Sequence, residues 1–134
     1  MPFVLDTSIT AVWALADESS PLADLAAQRL KDEFALVPPI WWYEIRNLLV
    51  VSERRQRITA DETATFLEIL AAYPIQIDSL QEERRTLEFA RQYGLSFYDA
   101  AYLAVAHRNH APLATLDKAM EEAASSAGIA LLRC

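Results

Sequence analysis

Five short, mostly apolar runs punctuate this chain, and between them apolar positions recur every three or four residues. The runs are Phe3-Val4-Leu5, Ala35-Leu36-Val37, Tyr73 to Asp78, Ala111 to Thr115, and Ile129 to Leu132. Runs of this length, bounded by turn residues, predict buried strands. Pro38-Pro39 stops the second, because proline cannot donate to a central ladder. Gly128 releases the last.

The longer stretches predict helices. Ile9 to Leu15 follows the turn Asp6-Thr7-Ser8, any member of which can cap it. Ser19-Ser20-Pro21 opens a second helix, with Leu22, Leu25, Ala26 and Leu30 at helical spacing. Pro39 opens a long one, Ile40 to about Arg55, whose inner stripe is Trp41, Ile45, Leu48 and Val51 or Ser52. Thr59-Ala60-Asp61-Glu62 is a capping box before another. Leu80 to Tyr93 is amphipathic, and Gly94 is its natural stop. Leu95 to His107 is apolar almost all the way round, as expected of a buried helix, and ends near Asn109. Asp117 begins a last helix through Ala124. Strands alternating with helices, and reading as continuous apolar runs, predict one α/β domain: a central parallel sheet of about five strands with helices on both faces. In such sheets the ligand site lies beyond the carboxyl ends of the strands, where Asp6 and Asp117 fall.

Composition narrows the class. A chain of 134 residues that is 53% hydrophobic can bury a core of its own. No run approaches a membrane span and Met1 to Asp6 lacks signal-peptide features, so no membrane is expected as a partner. Cys134 is the single cysteine. That excludes an intrachain disulfide or zinc framework and favours a reducing cytoplasm. The net charge of −7, from 12 basic and 19 acidic side chains, argues against broad electrostatic attraction to nucleic acid. A local, cation-assisted site stays open.

Four acids stand in unusual settings. Asp99 sits inside the apolar helix, and Glu44 lies beside the inner stripe of the long one. Asp6 and Asp117 each follow a strand. Each also has a structural role open to it. Asp6 and Asp117 can be N-caps, Ser96-x-x-Asp99 can be a capping box, and Glu44 can be a solvated helix edge. Convergence would explain all four with one feature. Without a cation it would be unfavourable, since each ionised pair at about 4 Å costs on the order of 4 kcal/mol at an effective dielectric near 20. All-oxygen ligands without His or Cys suit Mg²⁺ or Mn²⁺ better than zinc. Such an ion can orient a phosphodiester and lower the pKa of an attacking water, so the chemistry reads as metal-dependent phosphodiester hydrolysis.

Asp6-Thr7-Ser8, Pro39-x4-Glu44-x2-Asn47-x-Leu49, Leu95-Ser96-x-Tyr98-Asp99-Ala100-Ala101-Tyr102-Leu103 and Leu113-Ala114-Thr115-Leu116-Asp117 resemble, in order, the four signatures of the PIN domain. Within that family the likeness is to the ribonuclease toxins of VapBC-type toxin–antitoxin pairs, and it runs from Val4 to about Leu132. The resemblance implies a five-stranded parallel sheet and Mg²⁺- or Mn²⁺-dependent cleavage of RNA. Asp6, Glu44, Asp99 and Asp117 would be the acidic quartet, supported by Ser8, Asn47 and Thr115. Asp6 and Asp99 would be the direct metal ligands. Asp117 would act through water or at a second site, and Glu44 would hold metal-bound water or help to activate it. Thr7 and Ser8 would offer donors to phosphate or to Asp6. The resemblance also implies a homodimer, and a cognate antitoxin whose tail covers the acidic site.

Two other classes compete. A non-catalytic module could use the acids to recruit a basic partner segment. A phosphatase of the haloacid-dehalogenase type also places Asp after its first strand, but wants a second Asp where Ser8 stands. The basic runs Arg54-Arg55-x-Arg57 and Arg84-Arg85 read as solvated faces or as an RNA-phosphate rim. His107 and His110 suit the dipole at a helix end. Adjacent Trp41 and Trp42 cannot both face inward, because helical neighbours are about 100° apart, so Trp42 is expected at a surface.

Overall fold

A computed structural model describes residues 1–134. Four strands form the sheet: β1 (Phe3–Leu5), β2 (Ala35–Val37), β3 (Ile75–Ile77) and β4 (Leu113–Ala114). All neighbours are parallel, in the order β3-β2-β1-β4. Phe3 pairs with Ala35 and Val4 with Leu113, so β1 lies at the centre. Successive strand side chains point to opposite faces. Every residue of β1 and β2 is buried, so both faces of the sheet are covered.

The expected fifth strand is not a strand. Ile129 to Leu132 runs beside β4 through a single parallel bridge, Leu113 to Leu131. Two hydrogen bonds of 2.9 Å close it, from Leu113 N–H to the Ala130 carbonyl and from Leu132 N–H to the Leu113 carbonyl. The shortness of β4 limits the pairing. Pro112 has no N–H to offer, and β4 ends at Ala114.

Seven helices complete the chain: α1 (Thr7–Ala14), α2 (Pro21–Arg29), α3 (Pro39–Arg54), α4 (Ala60–Ala71), α5 (Glu83–Tyr93), α6 (Phe97–Asn109) and α7 (Lys118–Ser126). Their starts follow local chemistry. Ser20 caps α2 ahead of Pro21, and Thr59 and Glu62 close both halves of the capping box of α4. Gly94 ends α5 at φ +64, a left-handed conformation that costs glycine little. The start of α5 differs from expectation. Residues 80–82 stay outside it because Asp78 accepts from Leu80 N–H, and Arg108 holds the Leu80 carbonyl and Glu82.

α6 is the helix the core surrounds. It packs on β1, β2 and β4, and Tyr102 to Ala106 are all buried along it. Trp41 is buried and donates to Thr10 at 2.9 Å, whereas Trp42 is 41% exposed, as their spacing requires. No helix is long and apolar enough to cross a membrane.

Candidate active site

The carboxyl ends of β1 and β4 lie side by side, and the site grows from that junction. Asp6 follows β1 directly, and its N–H donates to the Ala114 carbonyl of β4 at 3.1 Å. The residue is 6% exposed, and its side chain does not cap α1. Instead Oδ2 accepts from Ser8 Oγ at 2.7 Å and from Thr115 Oγ1 at 2.8 Å. Those hydroxyls are held in turn. Leu116 N–H donates to Ser8 Oγ at 2.9 Å, and Asp117 N–H donates to Thr115 Oγ1 at 3.0 Å. A net of short polar side chains thus fixes one oxygen of a buried acid, while Oδ1 accepts no side-chain hydrogen bond. Burial pushes the Asp6 carboxyl up, against the pull of Ser8 and Thr115 and of the nearby Ser8 and Thr7 backbone.

Asp117 does cap its helix, accepting from Ala119 N–H at 2.9 Å and Met120 N–H at 3.2 Å through Oδ1. Its place at the strand end makes that cap part of the site's rim. Ser96 caps α6 by accepting from Asp99 N–H at 3.1 Å. The reciprocal bond that would complete a capping box, as in α4, is not made. The Asp99 carboxyl is half-buried and pushed up, first by burial and then by the charges of Asp6, Asp117 and Glu44, with the Ser96 hydroxyl pulling the other way. Four acids from four elements therefore share one electrostatic neighbourhood.

Glu44 enters from α3. Its Oε1 accepts from Tyr102 Oη at 2.6 Å and from Thr7 Oγ1 at 3.0 Å. The resemblance assigns Thr7 to Asp6 or phosphate, and the apolar period of α6 leaves Tyr102 among its buried positions; neither points to Glu44. The signal available was Tyr102 itself: a phenol on an otherwise apolar, buried helix needs a partner. Burial first, then the bond to Glu44, raises the Tyr102 pKa, so it stays a donor. Asn47 lies exposed nearly one turn beyond Glu44 and makes no side-chain hydrogen bond to the four acids.

The chemistry of the donor set fits a hard divalent cation. Every candidate ligand is a carboxylate or hydroxyl oxygen. None of the chain's ion pairs involves a member of the quartet, so its charge is uncompensated by Lys or Arg. As the side chains stand, no three are gathered tightly enough to hold an ion. Ser8, where a haloacid-dehalogenase-type phosphatase would have a second acid, is committed to Asp6.

Comparison with known proteins bears on the family and the fold. The PIN-domain family model matches residues 3–125. Ribonuclease VapC3 of Pyrobaculum aerophilum is 30% identical over 125 residues, covering 91% of this chain and 94% of that protein. The crystal structure of PAE2754 from Pyrobaculum aerophilum has the same fold, with a TM-score of 0.71 over 92% of this chain and 84% of that one at 22% identity. The α/β architecture, the order of the four motifs and a family match over most of the length agree, and the chain belongs to the PIN-domain family.

Proposed function

We propose that this chain is a metal-dependent endoribonuclease, the toxin of a VapBC-type toxin–antitoxin pair. The observation that carries the reading is electrostatic: Asp6, Asp117 and Glu44 all act on the Asp99 carboxyl, and none of the four acids has a basic partner. The likeness to a ribonuclease supports the substrate. RNA, a cognate antitoxin and a second copy of the chain are the partners this reading entails.

Asp6 and Asp99 would hold Mg²⁺ or Mn²⁺, with Asp117 and Glu44 completing the shell directly or through water. Bound there, the ion supplies orientation of the phosphodiester, charge stabilisation on its oxygens and a lower pKa for the attacking water. The chain's own part is preorganisation. Ser8 and Thr115 fix Asp6 through Oδ2 and leave Oδ1 available. Tyr102 and Thr7 fix Glu44 through Oε1, leaving Oε2 to accept a proton from water held beside the scissile bond. Asn47 would act at the rim of this arrangement.

The test is cleavage of RNA by the purified chain with Mn²⁺ and with EDTA. Activity is expected only with metal, and Asp6→Asn and Asp99→Asn should abolish it while remaining folded. Cleavage that survives EDTA would sink the proposal. The open spacing of the carboxylates favours one rival, a non-catalytic module that recruits a basic segment. Calorimetric titration with Mn²⁺ separates the two, since only the nuclease needs Asp99 to bind metal.

A further inference from the structure

Glu121 follows Asp117 by one turn of α7 and lies on the same side of it, its N–H donating to the Asp117 carbonyl at 3.0 Å. Across from that helix, the parallel bridge of Leu113 with Leu131 sets Arg133 level with Thr115, each two residues beyond the bridge. Thr115 in turn donates to Asp6 at 2.8 Å. Thr115, Glu121 and Arg133 line one cavity of about 310 Å³, whose apolar wall is Leu22 of α2 with Leu131 and Leu132. The cavity therefore adjoins the acidic site. Thr115 belongs to both, and Asp117 is one helical turn from the cavity wall.

Neither Glu121 nor Arg133 has an ion-pair partner, in each other or elsewhere. Glu121 is partly buried, and as a carboxylate it only accepts hydrogen bonds, whereas a guanidinium only donates them. Their charges cancel, so the cavity selects by hydrogen-bond pattern between apolar walls that suit the faces of a planar ring. Its volume is of the size that takes a small ligand. Guanine matches the two groups. Its N1–H and 2-amino group are adjacent donors for a carboxylate, and its O6 and N7 are adjacent acceptors for a guanidinium. Adenine, cytosine and uracil do not present two adjacent donors. We propose that this cavity is a base-specificity subsite, in which Glu121 and Arg133 read a guanine of the RNA next to the scissile phosphodiester. They are specificity-determining residues for the reaction proposed above, and the inference rests on that nuclease reading.

The experiment uses the purified chain with Mn²⁺ and a set of labelled oligoribonucleotides that carry guanosine, adenosine, cytidine or uridine at one position and are otherwise identical and free of guanosine. A wild-type chain that cuts none of them overturns the nuclease reading and this inference with it. Where the wild type cuts, the cut should fall at a fixed distance from the guanosine, and any other base there should lower kcat/KM roughly ten- to a hundredfold. Inosine, which lacks the 2-amino group, and 7-deazaguanosine, which lacks N7, should each cost roughly tenfold. Those two substrates act on the wild-type chain, so the folding of a variant does not enter. Glu121→Gln and Arg133→Met should each bring kcat/KM on the guanosine substrate down to near that on its adenosine counterpart. Cleavage indifferent to the base, or a guanosine preference that survives in either variant, overturns the inference and leaves the nuclease reading intact. An equal loss on all four substrates in Arg133→Met would assign that arginine to a phosphate and overturn it as well. So would a preference for a different base that both variants lose, because the cavity would then read another edge.

Discussion

Tyr102 donates a 2.6 Å hydrogen bond to Oε1 of Glu44, joining residues 58 positions apart where α6 approaches α3. Thr7 Oγ1 lies 3.0 Å from the same oxygen and 2.8 Å from Tyr102 Oη. Two hydroxyls have only two protons between them, so three contacts are served by two hydrogen bonds at any instant. Tyr102→Phe removes the shorter bond, and Thr7 can then commit to Glu44. The variant should lose about 1–2 kcal/mol of stability, a fall in Tm of several degrees. Activity should lose roughly tenfold in kcat with little change in KM, as expected of an acid that has lost its positioning. Calorimetry with steady-state kinetics checks both, and a lower Tm with unchanged kcat would mean that the bond is structural only.

A second prediction follows from the hydroxyls on Asp6. Ser8 and Thr115 stabilise its charged form in a buried place. Ser8→Ala or Thr115→Val should cost about 1–3 kcal/mol and raise the Asp6 pKa further. Since the proposed reaction needs Asp6 ionised, the acidic limb of the pH–rate profile should move to higher pH in either variant. A limb that stays in place would mean that another group sets it.

On the proposed reading, the four acids should make stability depend on metal and pH. Asp99 is pushed up by burial and by three neighbouring charges, so the folded state binds its proton more readily than the unfolded chain does. Between the unfolded carboxyl value of about 4 and the raised folded value, stability therefore rises as pH falls. In EDTA at pH 7, Asp99→Asn should be at least as stable as wild type, and the gap should close as pH drops through that window. Mn²⁺ at a hundredfold excess over Kd should stabilise wild type by about 2.7 kcal/mol and Asp99→Asn much less. Thermal melts across pH, with and without Mn²⁺, decide it.

That the four acids share one electrostatic neighbourhood could be anticipated from the sequence, because each stands beside a local signal: a strand end, a helix cap, or an apolar stripe in which a charge is out of place. The Tyr102–Thr7–Glu44 triangle could not be, because it exists only once α1, α3 and α6 have packed, and no spacing along the chain encodes that meeting. The fifth strand was over-read for a related reason. Ile129 to Leu132 has a strand's composition, but the length of a strand is set by its neighbour, and β4 offers two residues. Leu80 continues the apolar period of α5, yet contacts with Arg108, 28 residues away, keep it outside the helix.

That same arginine supports the last prediction. Arg108 bonds Asp78 through Nη2 at 2.9 Å and Nε at 3.2 Å, and Glu82 through Nη1 at 3.2 Å. The clasp closes the 78–82 loop over a cavity of about 470 Å³ that also touches Pro38, Pro39 and Phe97, beside the site. Burial alone would raise the Asp78 carboxyl, but the bonds from Arg108 and Asn109 and the Leu80 amide outweigh it and hold the group below its ordinary range. An acid depressed on folding contributes stability above its unfolded pKa of about 4 and loses it as pH falls through the folded value. Arg108→Met, which keeps the apolar stem, should cost about 1–2 kcal/mol at pH 7, because the pair is mostly covered yet still wetted at its edge. Urea melts should then show the difference from wild type shrinking as pH falls from about 4 toward the depressed folded value, because Asp78 of the unfolded chain takes up its proton before that of the folded wild type. A gap that stays constant down to pH 3 would assign the loss to packing of the arginine stem rather than to its charge.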